Sequence, residues 1–264
     1  MAGRLETGID VLDRKLNGGL PPGSIVAFTA SPASQSELLL YELTAARGTL
    51  YLTTERSDQA VRDAIENTNA PVGSPTVRDI SGSEPLDQAN RLIRALPEGA
   101  NLVIDTADVL ERGDRNRYRS FMTELQTHMV NTGSIAFMHC LDGHHIPTNR
   151  DTTKHMADVV FALETQVRGA ELENRLSVPK FRGGTALVET VKLELADEVA
   201  IDTSRDCTRL SSIGERLPRE RRRRRCVPFR GRRERHRVQF LLASIGYRRR
   251  RRSPRRLRWG RRRP

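Results

Sequence analysis

The chain carries almost no cysteine, no signal-type apolar core and no apolar run of membrane length, and each absence narrows what it does. Its three cysteines, Cys140, Cys207 and Cys226, have no regular spacing and form no CxxC pair. A disulfide framework is excluded, and a reducing compartment is indicated. Residues 1–8, MAGRLETG, lack the apolar core of a secretory signal. No stretch approaches the roughly eighteen apolar residues of a membrane span. The expectation is a cytoplasmic protein with no membrane attachment. A further absence is local: lysine is missing from residues 216–264, although they hold 23 arginines.

What is present divides into two parts of opposite charge. The 264 residues carry a net charge of +12, but residues 1–215 hold 22 Lys and Arg against 31 Asp and Glu, a net of −9. Residues 216–264 hold 23 Arg against 2 Glu, a net of +21. An acidic body long enough to bury a core is thus followed by a very basic segment, an asymmetry that suggests a nucleic-acid or acidic partner for the segment.

The body is organised around residues 24–37, where a β-branched apolar run ends in a small-residue turn that opens a Leu-rich helix. A phosphate-binding loop would sit here. Such a loop reads G-x-x-x-x-G-K-[ST], with backbone N–H groups wrapped round the phosphates, a lysine neutralising them and a hydroxyl on Mg²⁺. The four defining positions are Ala30, Gln35, Ser36 and Glu37, with Ser31, Pro32, Ala33 and Ser34 between them. The small residues remain, but the lysine is gone, and a carboxylate at the hydroxyl position repels phosphate oxygens.

Upstream, residues 4–23 place Ile9, Leu12 and Leu16 at helical spacing and then break at Asn17-Gly18-Gly19 and Pro21-Pro22-Gly23. Thr7, Gly8, Leu12, Asp13, Leu16, Gly18, Gly19, Leu20, Pro21 and Gly23 spell T-G-x-x-x-L-D-x-x-L-x-G-G-L-P-x-G. With the strand that follows, this resembles the start of the KaiC and RadA type of RecA-superfamily ATPase domain. Downstream, Ala157, Asp158, Val160 and Leu163 fit that family's A-D-x-V-x-x-L pattern, and Lys180, Arg182 and Gly183 fit its K-x-R-G strand end. The resemblance covers about residues 4–205. It implies a three-layer α/β RecA-like P-loop NTPase fold with a mostly parallel central sheet, the domain ending near residue 205 and residues 206–215 serving as a linker.

Between those motifs, a helix is expected over residues 37–47, strands over 48–54, 76–80, 101–106 and 133–140, helices over 87–96 and 115–132, and a final hairpin over 191–201. In the long helix, Tyr118, Phe121, Met122, Leu125 and Met129 form a core-facing stripe.

The resemblance also implies roles for particular residues. Strand 48–54 leads to Glu55, the first of two glutamates that activate the attacking water in such domains; the second position is Arg56. A solvated Glu-Arg pair at a strand end is the alternative. Asp105 ends strand 101–106 as a Walker B aspartate does, and it could equally cap the next helix. Lys180 and Arg182 correspond to basic residues that reach into a neighbouring subunit's site, which points to a homo-oligomer; a basic loop at a sheet edge is the alternative. His139, Cys140, Asp142, His144 and His145 have the chemistry of metal ligands, but they fall on a loop that is polar in the family, and no metal site is expected.

The segment from Arg216 holds five-arginine runs at residues 221–225 and 248–252. It cannot pack a core and is expected to be disordered in isolation. One reading is a nucleic-acid arm, with Phe229, Arg230, Tyr247 and Trp259 for stacking. The favoured reading is out-of-frame translation, because GAC aspartate codons read from their third base become CGA arginine codons, and phosphates would accept lysine as readily. The apolar residues 238–245 are too short to span a membrane.

Three functions compete. The favoured one is a degenerate RecA/KaiC-like protein with a regulatory or scaffolding role towards an unknown protein partner, without ATP hydrolysis. The others are an ATPase completed by a neighbour's Lys180 and Arg182, with ATP and Mg²⁺ as cofactors, and a nucleic-acid-binding protein acting through the body or residues 216–264.

Overall fold

The computed structural model describes residues 3–201 apart from 170, 186, 197 and 198, with only the backbone of Ile201. The expected linker and Arg-rich segment, with Cys207, Cys226, Phe229, Arg230, Tyr247, Trp259 and residues 238–245, lie outside the described residues.

Alternation within short apolar runs builds the sheet. Strand β1 (Ile25–Ala30) is buried along its whole length. So is β4 (Asn101–Asp105), and β2 (Thr49–Thr53) and β5 (Ile135–Leu141) are nearly so. With β3 (Thr76–Asp79) and β6 (Val159–Arg168) they run parallel in the order β3-β2-β4-β5-β1-β6. The sheet then continues antiparallel through β7 (Glu171–Phe181), β8 (Val191–Leu195) and β9 (Val199–Ile201).

Successive residues of a strand point to opposite faces, so each buried strand feeds two cores. Val26, Phe28, Tyr51, Val103 and Phe137 face α1 (Asp10–Lys15), α2 (Ser36–Glu42) and α3 (Asp58–Glu66), meeting Leu12, Leu39, Leu40, Val61 and Ile65. Ile25, Ala27, Leu52, Leu102, Ile104 and Met138 face α4 (Pro85–Ile93), α5 (Asp108–Glu111) and α6 (Arg115–Thr132). The result is the three-layer, mostly parallel α/β arrangement expected from the sequence. Each fully buried aliphatic or aromatic side chain contributes about 1.5–3 kcal/mol.

Local chemistry sets the ends of the elements. Asp114 caps α6 by accepting from the N–H groups of Asn116 and Arg117, and Gly133 ends it in the left-handed region at φ 64°. The stripe of Tyr118, Phe121, Met122, Leu125 and Met129 is buried as expected.

The N-terminal motif is a brace. Asp13 Oδ1 accepts from the Thr7 N–H at 2.7 Å and the Thr7 hydroxyl at 2.9 Å, and its Oδ2 accepts from the Gly8 N–H at 3.1 Å. A Cβ on Gly19, at φ 108°, would collide with the Leu5 carbonyl where Leu5 pairs with Leu20.

Helix α2 ends at Glu42, earlier than the expected residue 47, because side chains compete for its last carbonyls. The Thr44 hydroxyl donates to the Tyr41 carbonyl at 2.6 Å, and the Asn101 amide donates to that of Leu43 at 2.9 Å. The final helix before the antiparallel strands, α7 (Arg150–Met156), returns the chain from β5 to β6.

Because β1, β4 and β5 are parallel neighbours, Ala30, Asp105 and Leu141 finish at one edge of the sheet. In open α/β sheets this edge is where ligands bind.

Candidate functional site

The loop between β1 and α2 opens this edge. Residues 31–35 fold into a tight turn: the Ser34 N–H and hydroxyl both reach the Ser31 carbonyl, at 3.0 and 2.6 Å, and Ser31 Oγ accepts from the Ala33 N–H at 3.3 Å. The Ala30 carbonyl accepts from the Asp142 N–H at 2.7 Å, tying the loop to the end of β5. Pro32, Ala33 and Gln35 are exposed, Ser36 is buried and Glu37 is half-buried.

The Ser36 side chain turns inward. Its hydroxyl lies 3.2 Å from His139 Nε2, and His139 Nδ1 lies 2.7 Å from Asp105 Oδ1. The second oxygen of Asp105 accepts from the Tyr51 hydroxyl at 2.7 Å. Four elements supply the four groups: α2, β5, β4 and β2. Sheet register places Asp105 directly beside His139, so two neighbouring strands present the pair side by side. Phe28 stacks on the imidazole with ring centroids 5.4 Å apart, fixing its plane.

The electrostatics define the protonation pattern. Burial alone would raise the Asp105 carboxyl; His139, Tyr51 and the nearby positive Arg56 outweigh it and hold its pKa below the ordinary value. Burial first, and then the negative Asp105, push the Tyr51 hydroxyl well up, so it stays a donor. An ionised carboxylate only accepts, so the 2.7 Å contact requires a proton on His139 Nδ1. In the neutral ring the Nε2 lone pair then faces Ser36, whose hydroxyl donates to it.

Glu55 takes no part in this network. Its exposed carboxylate lies 4.0 Å from the Arg112 guanidinium. Arg56 turns back instead, donating to the Tyr41 hydroxyl at 2.9 Å and the Ala60 carbonyl at 3.2 Å. Lys180 and Arg182 sit at the opposite end of the strands. Lys180 donates to the carbonyls of Lys154 and His155 at 2.9 and 2.7 Å, and Arg182 to those of His155 and Met156 at 2.9 and 3.4 Å. Both cations thus cap the end of α7 within their own chain. Burial, then Arg182 beside it, lowers the Lys180 pKa.

Beside the loop, a cleft of about 730 Å³ opens against β6, β7 and β8. Ala33, Ser34, Gln35, Leu172, Asn174 and Leu195 line it together with Glu171 and Glu194, and among the described residues no Lys or Arg lines it.

His139 and Cys140 are buried while Asp142, His144 and His145 are exposed. Among the described residues no group of three or more His, Cys, Asp or Glu side chains is arranged to hold a metal.

The sequence reading missed a buried ionic cluster next to the site. Arg150 bonds Asp108 Oδ1 at 2.7 Å, Glu111 Oε2 at 2.8 Å and the Leu141 carbonyl at 2.7 Å, locking α5, α7 and the end of β5 together. Burial raises the Glu111 carboxyl despite Arg150 and the hydroxyl of Thr153. The i, i+3 spacing of Asp108 and Glu111 was a legible hint, but nothing local points to Arg150.

Comparison with known proteins places the fold. A KaiC-like protein of the hyperthermophilic archaeon Pyrococcus horikoshii OT3 superposes with a TM-score of 0.62 at 16% identity, covering 75% of this chain and 98% of that one. The flagellar accessory protein FlaH of Methanocaldococcus jannaschii superposes with a TM-score of 0.59 at 11% identity, covering 76% and 99%. The body has the RecA-like P-loop NTPase fold of KaiC-like domains. No curated protein matches the chain. Residues 4–208 match a family described as a family of unknown function, DUF7125.

Proposed function

For a chain that belongs to DUF7125, a family of unknown function, we propose a regulatory or scaffolding role on a KaiC-like fold that has given up ATP hydrolysis. The observation that carries this reading is the closed set Ser36–His139–Asp105–Tyr51, whose Ser36 and Asp105 stand where the resemblance would put the loop lysine and the Walker B aspartate. Each oxygen of Asp105 already accepts a short hydrogen bond, which competes with any metal-bound water for the carboxylate. These residues do not fit Mg-ATP. Among the described residues no Lys or Arg lines the cleft, and residues 30–37 include none. The carboxylates of Glu37, Glu171 and Glu194 oppose a polyphosphate, and one such pair at about 4 Å costs on the order of 4 kcal/mol near a protein surface.

Lys180 and Arg182 are occupied by their own α7, which argues against their completing a neighbour's site. The description of FlaH as a flagellar accessory protein agrees with an accessory part for this chain in an assembly. Such an assembly includes copies of itself and a further protein. Among the described residues no helix is long and apolar enough to cross a membrane, in keeping with a cytoplasmic setting. Incubating the purified chain with about 1 mM Mg-ATP, a concentration at the upper end of ordinary KM values, should release no phosphate above background. Turnover abolished by Asp105→Asn would sink the reading and favour the ATPase alternative.

A further inference from the structure

We propose that Ser36 is a nucleophile, with His139 as its general base and Asp105 as the residue that positions the base, and that the three act on small, uncharged acyl donors such as neutral carboxylic esters. This goes beyond the nucleotide reading and does not depend on it. Three side chains from separate elements meet at 3.2 and 2.7 Å, in the order hydroxyl, imidazole, carboxylate. Nucleophilic catalysis by serine needs that order: the base within hydrogen-bond reach of the hydroxyl, and a third group fixing the tautomer and orientation of the base.

The surroundings hold the arrangement still. Tyr51 clamps the far oxygen of Asp105, and Phe28 lies against the imidazole. Ser36, His139 and Asp105 are 2%, 1% and 5% exposed. Water therefore competes little for their hydrogen bonds, and a reagent reaches the buried Oγ only when the structure around it opens.

The uncharged class follows from the loop. Residues 30–36 carry no charged side chain and Glu37 adds a negative one, so anionic substrates are disfavoured. In the first step the Ser36 Oγ–acyl bond forms and the bond from the acyl carbon to the alcohol oxygen breaks. The hydroxyl proton passes to His139 Nε2 and on to the departing alkoxide. Water then cleaves the acyl-serine through the same base, returning the serine and releasing the acid.

The loop contains its own controls. Ser31 and Ser34 are more exposed than Ser36, but the Ser34 hydroxyl donates to a carbonyl and neither has an imidazole beside it in the described contacts. The test uses the folded full chain and a neutral alkyl fluorophosphonate, which transfers its phosphonyl group to an activated serine with loss of fluoride. Intact mass and peptide fragmentation locate the adduct. One adduct at Ser36 is expected, with a rate that falls toward acid pH as general-base catalysis requires. Asp105→Asn and His139→Gln should slow it by about a hundredfold or more, the usual contribution of a general base, with circular dichroism reporting whether each variant is folded. Labelling at Ser31 or Ser34 instead, no labelling of the native chain, or an unchanged rate and pH profile in folded Asp105→Asn overturns the proposal. The site of labelling in the native chain decides the matter even if a variant fails to fold.

Discussion

Replacing Tyr51 by phenylalanine removes one oxygen from a fully buried side chain and leaves Asp105 Oδ2 without its 2.7 Å donor. Hydrogen bonds to charged groups contribute about 1.5–3 kcal/mol each, and a buried carboxylate oxygen left unpaired carries its desolvation cost. A loss of about 2 kcal/mol at pH 7 is expected. With a urea slope of about 2 kcal/mol/M, the unfolding midpoint falls by about 1 M at unchanged slope. The pH dependence tests the cause. The folded pKa of Asp105 lies below its ordinary value, so its stabilisation is present above the unfolded carboxyl pKa and is lost as pH falls through the folded one. Without the Tyr51 donor that folded pKa moves up. The deficit of the variant should therefore be full at pH 7 and smaller at an acid pH below the ordinary carboxylate range, where the folded carboxylate begins to take up its proton. A deficit below about 0.5 kcal/mol, or one equal at the two pH values, would refute the view that Tyr51 holds an ionised Asp105.

Three other perturbations separate scaffold from site. Gly19→Ala forces a Cβ into the Leu5 carbonyl and should cost more than 2 kcal/mol, whereas Gly18→Ala, with nothing near its Cβ, should cost only about 1 kcal/mol for its positive φ; thermal melts of the pair check this. Arg150→Met strands Asp108 and Glu111 in the interior and should cost about 3–5 kcal/mol, part of which returns when both carboxylates become amides; urea unfolding of the single and triple variants reads the difference. Removing residues 216–264 takes away 23 arginines and leaves a body of net charge near −9. Binding of single-stranded DNA at low salt should vanish on that truncation and fall steeply with salt in the full chain; binding that persists in the truncated protein assigns it to the body.

Much of the fold was legible because it rests on local rules. Apolar runs too short for helices marked β1, β4 and β5, and the stripe from Tyr118 to Met129 marked α6 and its buried face. The N-terminal motif was legible for a related reason: Asp13 braces Thr7 and Gly8 only a few residues away, and Gly19 sits where no side chain fits. The early end of α2 was hidden because Asn101, far along the chain, takes the Leu43 carbonyl.

The site was half legible. Ser36 at the lysine position and Asp105 at a strand end were visible in the sequence, whereas His139 read as a metal-ligand type and Tyr51 as part of a buried strand. What joins them is sheet order. Only when β4 and β5 are known to be neighbours does Asp105 fall beside His139. Ser36 then meets the ring across 103 residues of chain, a separation no local pattern spans.

The central claim is that the loop no longer accepts Mg-ATP. It is tested most directly by titrating Mg-ATP calorimetrically into the native chain and into a variant with Gln35→Gly, Ser36→Lys and Glu37→Thr, which restores the loop pattern and frees Asp105 and His139 from the serine. The account predicts no binding heat from the native chain and micromolar binding by the variant. Micromolar binding by the native chain would contradict it.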